Sequence, residues 1–495
     1  MKKYKYEIIL FITEAVCMIV ELVASRLLSP AFGNSNVVWT SVIGIILLSS
    51  SIGNYIGGIV ADKEGFDDKL EIIYIIAGAW LLLIPLVKNA VLNTLSSLGY
   101  IKIGAILATS TLFLIPSIFL GMIIPIILKI KLKDINTVGN TSGKLYSIST
   151  VGGIFGTFLG GFLLIPNMGV VNLTFFLAGV LFVISIFANK TGKKHTLSIC
   201  FSSCIVVLII GYFIYSSNIE RKIMSNKIGI SYTVDTQYGN AVMTNEELEG
   251  KAVRMLKVDG AFESGTFMDK KLRNELVFDY LKKYDLMFDI DPQIKDVAMI
   301  GGAAYCYPKY AISHYPKINM DVIEIDKEIT EIAKKYYYLN DVLETYNKES
   351  ERLKLINEDG RIFFNNNEKK YDAILNDAFS GEVPARSLTT IENIRNIKRS
   401  LNEGGLYLNN IAGSMSGDNS RFIKAEVNTI KKIFKNVYVI PVVTKDETRT
   451  QNFMVIATDK DATLDKDLLV DLKISDNEIV FTDDYCPAEY LEIKR

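Results

Sequence analysis

Apolar residues crowd into the first part of the chain, in runs near 7–28, 39–60, 70–87, 102–128, 145–165, 170–188 and 197–215. Each run approaches the ~20 residues that cross a bilayer as a helix. An all-α transmembrane bundle of about seven spans is therefore expected over residues 1–216. The first run is too long for a signal-peptide core and lacks a convincing small-residue cleavage site, so it is expected to stay as an anchor. After Ser216 the pattern turns polar, and 217–231 reads as a linker. From Tyr232, short runs broken by Gly and Asp-Gly predict strands, and a helix is expected at 269–284. Together, residues 232–290 form a small β-subdomain with a connecting helix. From 291 to 495, apolar runs of strand length alternate with helical stretches. That alternation predicts a Rossmann-like α/β domain, with ligands at the carboxyl ends of the strands.

Within the apolar half, Gly152, Gly156 and Gly160 fall at helical spacing, and Gly53 and Gly57 repeat the pattern. Small residues so placed let a second helix approach closely, which is the reading favoured over a lipid or substrate groove. Glu14 and Glu21 lie seven apart on one helix face, with Arg26 near its end. Charges at such depth cost roughly 2.5–3.5 kcal/mol each and face a polar interior. They form either a structural pair with Arg26 or Lys144, or a substrate or proton path. Lysines before the first span and after the second, fourth and sixth put the N-terminus in the cytoplasm. An odd span count then places the C-terminal domain outside, and an even count inside. An even count would follow if Pro116 and Pro125 split the long fourth run into a re-entrant pair.

Composition agrees with a membrane protein: 495 residues, 49% hydrophobic, mean hydropathy +0.24. The formal net charge of -1 gives no reason to expect nucleic acid. Five cysteines show no disulfide framework, although Cys306 and Cys486 could pair. With only His195 and His314, and no Cys/His cluster at ligand spacing, no metal is expected. No Ser/His/Asp set or phosphate loop ending in Gly-Lys-Ser/Thr is present.

The stretch from Lys295 to Asp326 carries the candidate chemistry. A buried strand, Val297–Ile300, runs into Gly301-Gly302, where the backbone can approach a ligand. Glu324 ends the next strand at the distance from which a carboxylate reaches ribose hydroxyls. Further strands end at Glu358-Asp359-Gly360 and at Asn376-Asp377. In plain structural terms, Glu324 and Asp359 could instead cap helices or close turns, and Asp377 could form an Asx-turn.

The series Ile300-Gly-Gly, Val322-Ile-Glu324-Ile-Asp326, Glu358-Asp359-Gly360 and Asp372-Ala-Ile-Leu-Asn-Asp377 resembles the spermidine synthase family. Glu21-Leu-Val-Ala-Ser-Arg26 and Trp39-Thr-Ser-Val-Ile-Gly resemble the members that carry this domain behind a bundle of spans, and Thr482-Asp483-Asp484-Tyr485-Cys486-Pro487 resembles the family's ending. The resemblance implies a class-I methyltransferase-like fold that binds decarboxylated S-adenosylmethionine and passes its aminopropyl group to an amine. It implies a cofactor site of Gly301, Gly302, Glu324 (ribose), Asp359 (adenine edge) and Gly360, covered by Gln237. Asp377 would be catalytic, and Ser380, Asp484 and Tyr485 would meet the substrate. Two positions depart from the family: Ala304 stands where an Asp grips the aminopropyl ammonium, and Ser380 where a second Asp binds the diamine. Asp484 and Glu382 are the candidates for the missing charge. Three functions stay open: an aminopropyltransferase, an S-adenosylmethionine-dependent methyltransferase on a membrane-delivered substrate, and a transporter or sensor with a nucleoside-binding domain. The resemblance also suggests a homodimer.

Overall fold

A computed structural model describes residues 4–32, 36–63, 65, 69–97, 101–132, 134–188, 218–347, 351–380, 383–475, 477–488 and 491. The chain divides into two compact units, Met1–Glu220 with Val234–Asn240, and Arg221–Thr233 with Ala241–Arg495.

Among the described residues of the first unit, six helices are long and apolar enough to cross a membrane: Lys5–Phe32, Val38–Ala61, Leu70–Ser96, Lys102–Lys131, Val138–Leu164 and Asn167–Ala188. The expected seventh run, 197–215, lies outside the described residues, as does His195. The fourth run is not a re-entrant pair. Pro116 sits inside the helix, and Met122 keeps right-handed helical angles (φ -66°, ψ -16°), so the segment continues as one 30-residue span. A proline removes one N–H from the ladder but does not reverse a helix.

The glycine stripe lies against the first helix. A Cβ on Gly156 would stand 2.5 Å from Ala15 Cα, and one on Gly160 3.0 Å from Ile19 Cγ1. Gly57 likewise meets Met122 Cα at 2.7 Å. The ion pairs of this bundle form at its end: buried Glu7 takes Lys131 at 2.7 Å and Lys144 at 3.8 Å. Lys144 is thus engaged by Glu7, while Glu14 hydrogen-bonds Ser149. Glu21 is partly exposed, and Arg26 donates to the Gln237 carbonyl.

Residues 218–224 are helical, inside the stretch expected as linker, and the second unit begins at Arg221. A four-stranded sheet follows in the order β1 (Ser231–Asp235), β2 (Asn240–Leu248), β3 (Lys251–Val258), β4 (Ala261–Phe267). The expected helix at 269–284 forms only from Asp279, running through short helical segments to Ile290. Residues 270–274 are turns instead, because the Arg273 carbonyl accepts from Lys309 Nζ and Thr266 Oγ1 rather than from a helical N–H.

The main sheet has seven strands. In chain order these are β5 (Asp296–Ile300), β6 (Asn319–Glu324), β7 (Leu353–Asn357), β8 (Tyr371–Asn376), β11 (Leu401–Gly413), β12 (Asn436–Pro441) and β13 (Gln451–Thr458). A two-residue ladder, β9 (Phe379–Ser380) with β10 (Val383–Pro384), stands apart from them. The spatial order is β7-β6-β5-β8-β11-β13-β12. Strands β7 through β11 pair in parallel, and β13 runs antiparallel between β11 and β12. This is the methyltransferase-like α/β fold, with a small β-subdomain before it. The chain leaves β5 towards β6 and returns to β8 on its other side. The switch point therefore lies between β5 and β8, where open α/β sheets bind ligands.

Candidate active site

Both strands at the switch point end in candidate residues. After β5, Gly301 adopts φ +87°, and a Cβ there would stand 2.6 Å from the Asp377 carbonyl. Only glycine admits that conformation beside so close a strand. The next residues wind back, with Ala303 and Tyr305 also at positive φ, and the helix Cys306–His314 follows. Glu324, at the end of β6, closes this loop. Its Oε2 accepts from Gly302 N (2.7 Å) and Ala303 N (3.1 Å), and its Oε1 from Asp326 N (2.9 Å). A carboxylate has about four lone-pair sites, so one acceptor position remains.

Asp359 caps the helix Gly360–Asn366 through Oδ1 to Ile362 N at 3.0 Å. Gly360 packs where a Cβ would strike Ile300 Cγ2 at 2.6 Å, so the helix start sits against β5. Asp326, beside Glu324, caps the helix Lys327–Tyr336. Glu324 and Asp359 therefore do the backbone work open to any residue at a strand end, with Asp359 Oδ2 left out of it.

Asp377, just past β8, takes Asn410 Nδ2 on Oδ1 at 2.8 Å and the Tyr280 hydroxyl on Oδ2 at 3.4 Å. Burial raises its carboxyl to about 6, although Asn410 and Tyr280 favour the ionised form. Opposite stands Glu263. It is the extra residue of a β-bulge, since Leu256 pairs Ser264 and Lys257 pairs Phe262. Bulges re-aim side chains and gather near active sites. Burial, then the negative charges of Asp377, Glu324 and Asp259, raises the Glu263 carboxyl to about 8. Ser264 Oγ accepts from Ala304 N at 3.4 Å, so β4 covers the glycine loop at the position where the resembled family has its Asp. Gly301, Gly302, Glu324, Asp377 and Glu263 thus gather at one rim of the sheet. The cleft is acidic and suits a ligand carrying positive charge.

Gln237 falls in the segment grouped with the helical unit. Asp484 and Tyr485 are exposed in a turn closed by reciprocal Thr482–Tyr485 backbone hydrogen bonds. Their neighbour Asp483 pairs with Arg361 at 2.7 Å and accepts from Thr390. Ser380 forms the end of β9, and Glu382 lies outside the described residues. Cys306 and Cys486 are free thiols, with Cys306 donating to the Gly265 carbonyl. Glu263, Tyr280 and Asn410 were not anticipated. Asn410 alone carried a signal, as one of two adjacent polar residues inside an apolar strand.

A doubly wound sheet with carboxylates gathered at its switch point defines the class, an α/β ligand-binding domain. Residues 274–466 match the spermine/spermidine synthase domain. Over those residues the chain is similar to that family. Polyamine aminopropyltransferase 2 of Aquifex aeolicus (strain VF5) is 25% identical over 464 residues, covering 91% of this chain and 86% of that protein. The polyamine aminopropyltransferase of Clostridium botulinum (strain Eklund 17B / Type B) is 32% identical over 120 residues, 24% of this chain and 40% of its own length. The chain thus spans most of the first relative but about half or less of others. A crystal structure of a probable spermidine synthase from Corynebacterium glutamicum ATCC 13032 aligns with a TM-score of 0.39 at 21% identity, over 47% of this chain and 82% of that one.

Proposed function

We infer that the chain is a membrane-anchored aminopropyltransferase that uses decarboxylated S-adenosylmethionine and an amine acceptor. One observation carries this reading: Asp377 is held by Asn410 at the switch point, facing Glu263 across an acidic cleft. The donor supplies a carbon attached to a cationic sulfur. The amine lone pair forms the new C–N bond as the C–S bond breaks, and that electron pair stays on sulfur as a neutral thioether. The nitrogen sheds its proton to Asp377. Because sulfur leaves neutral, no general acid is required.

Each residue then has a task. Gly301 and Gly302 let the loop approach the nucleoside. The free acceptor site on Glu324 takes a ribose hydroxyl, and Asp359 Oδ2 reaches the adenine edge. Glu263 meets an ammonium group, a contact worth about 1.5–3 kcal/mol when charge-assisted. It offsets the charge missing at Ala304 and Ser380. The six apolar helices anchor the enzyme in a bilayer.

Calorimetry of the purified full chain with S-adenosylmethionine and with its decarboxylated form tests the reading, together with product analysis in the presence of putrescine. Tighter binding of the decarboxylated form and a propylamine-extended product are expected. Preference for the intact donor would make the protein a methyltransferase, and binding of neither would leave a non-enzymatic ligand-binding protein.

A further inference from the structure

Strands β8 and β11 pair in parallel, with Asn376 opposite Asn409 as their last rung. One residue further on, Asp377 and Asn410 form the hydrogen-bonded pair of the cleft. Side chains alternate between the faces of a strand. The Asn376–Asn409 rung therefore faces the opposite side, where the helix Arg421–Lys431 packs. There Asn376 Nδ2 donates to Asn409 Oδ1 at 3.0 Å, and Asn409 Nδ2 donates to Glu426 Oε1 at 2.7 Å. Asn376 and Glu426 are 1% and 0% exposed. Neither Glu426 Oε2 nor Asn376 Oδ1 has a hydrogen-bond partner, although both are buried.

We propose that Glu426 is a positioning residue for Asp377, acting through the Asn409–Asn376 rung. This rests on reading Asp377 as the proton acceptor. A carboxylate this deep without a cation is unstable, whereas a carboxylic acid both donates and accepts. As an acid, Glu426 can accept from Asn409 Nδ2 on one oxygen while the other carries the proton. Burial raises its carboxyl to about 8, in the same sense. Hydrogen bonds in a dry interior are stronger than in water and hold their members to one geometry. Fixing the last rung fixes the strand ends, and with them the next pair along. The Tyr284 hydroxyl, donating to the Asn376 carbonyl at 2.9 Å, pins the same residue from the first part of the unit.

The test compares E426Q, E426L and N409L in the full chain. Gln keeps a donor and an acceptor without charge, so E426Q is expected to retain kcat within about two-fold. E426L is expected to lower kcat roughly 10- to 100-fold, the scale of a small misplacement of reacting groups, with little change in KM for the donor. E426L in the N409L background should add almost nothing. Loss of activity in E426Q equal to that in E426L overturns the proposal, as does an E426L enzyme with native kcat. Thermal melts of each variant separate misfolding from mispositioning. If the native chain transfers no aminopropyl group, the reading of its function fails but the proposal is still decided. The pH dependence of calorimetric binding of decarboxylated S-adenosylmethionine then reports Asp377: E426L shifts it and E426Q does not. An unshifted profile in E426L overturns the proposal.

Discussion

At the scale of single residues, the cleft turns on two carboxyls with different environments. Asp377 has two hydrogen-bond donors and stands near 6, whereas Glu263 has burial and three negative neighbours and stands near 8. At neutral pH, Asp377 is then ionised and able to accept a proton. D377N should lower kcat by about 100- to 10,000-fold, the usual worth of a positioned acid–base group, while donor binding measured by calorimetry persists. Glu263 titrates higher, so amine affinity should strengthen as pH rises from 6 to 9 and Glu263 ionises. E263Q should flatten that rise and raise KM for the amine roughly 10- to 100-fold, the equivalent of one charge-assisted contact. An unaltered pH profile in E263Q would remove Glu263 from the substrate site. Asp377 was legible because a strand ending in Asn-Asp stands out in an apolar run. Glu263 was not, because its direction comes from one unpaired residue in β4, and a bulge leaves no trace in hydrophobic alternation.

Elements were read more easily than their junctions. The strands after 295 were anticipated because a parallel sheet buried on both faces requires continuous apolar runs. At 269–278 the helical pattern is overruled by tertiary bonds. Lys309, buried and without a carboxylate partner in any ion pair of the described residues, takes the Arg273 and Tyr337 carbonyls at 3.4 and 2.6 Å. The same limit applies in the membrane half, where glycine spacing implied close packing but not which helix would fill it. The first helix does so at Gly152, Gly156 and Gly160, and the Lys102–Lys131 helix does so at Gly53 and Gly57. G156L should therefore separate the two helices, because its side chain has the Ala15 backbone in its way. Loss of the folded, monodisperse protein in mild detergent is expected, whereas G139A, with open space around its Cβ, should be neutral. In the second unit, G301A places a Cβ both at positive φ and 2.6 Å from the Asp377 carbonyl. It should weaken donor binding by more than ten-fold in calorimetry, because strain of this kind costs of order 1–3 kcal/mol.

At the scale of the whole molecule, the buried acids make a statement about stability. Asp377, Glu263 and Glu426 all have carboxyls raised above their ordinary values of 3.8, 4.5 and 4.5, to about 6, 8 and 8. A folded state with the higher pKa binds protons more tightly than the unfolded chain does. Its stability is complete below about pH 4 and declines as pH rises through 6 and 8. The carboxylates held below their ordinary range, Asp291, Asp446, Asp459 and Asp461, act in the opposite direction, but only near pH 4 and below. Between pH 5 and 8.5 the raised acids therefore contribute a stability that falls as pH rises. Denaturant midpoints of the full chain in detergent should fall across that window, and the E263Q/E426Q double variant should show a shallower fall. A cationic donor bound in the cleft favours ionised Asp377 and Glu263, so binding at pH 7 should expel protons. Titrations in buffers of different ionisation enthalpy measure that release directly. A binding enthalpy independent of the buffer would mean that the two carboxyls do not face the positive charge of the ligand, and the aminopropyl reading would lose its electrostatic basis.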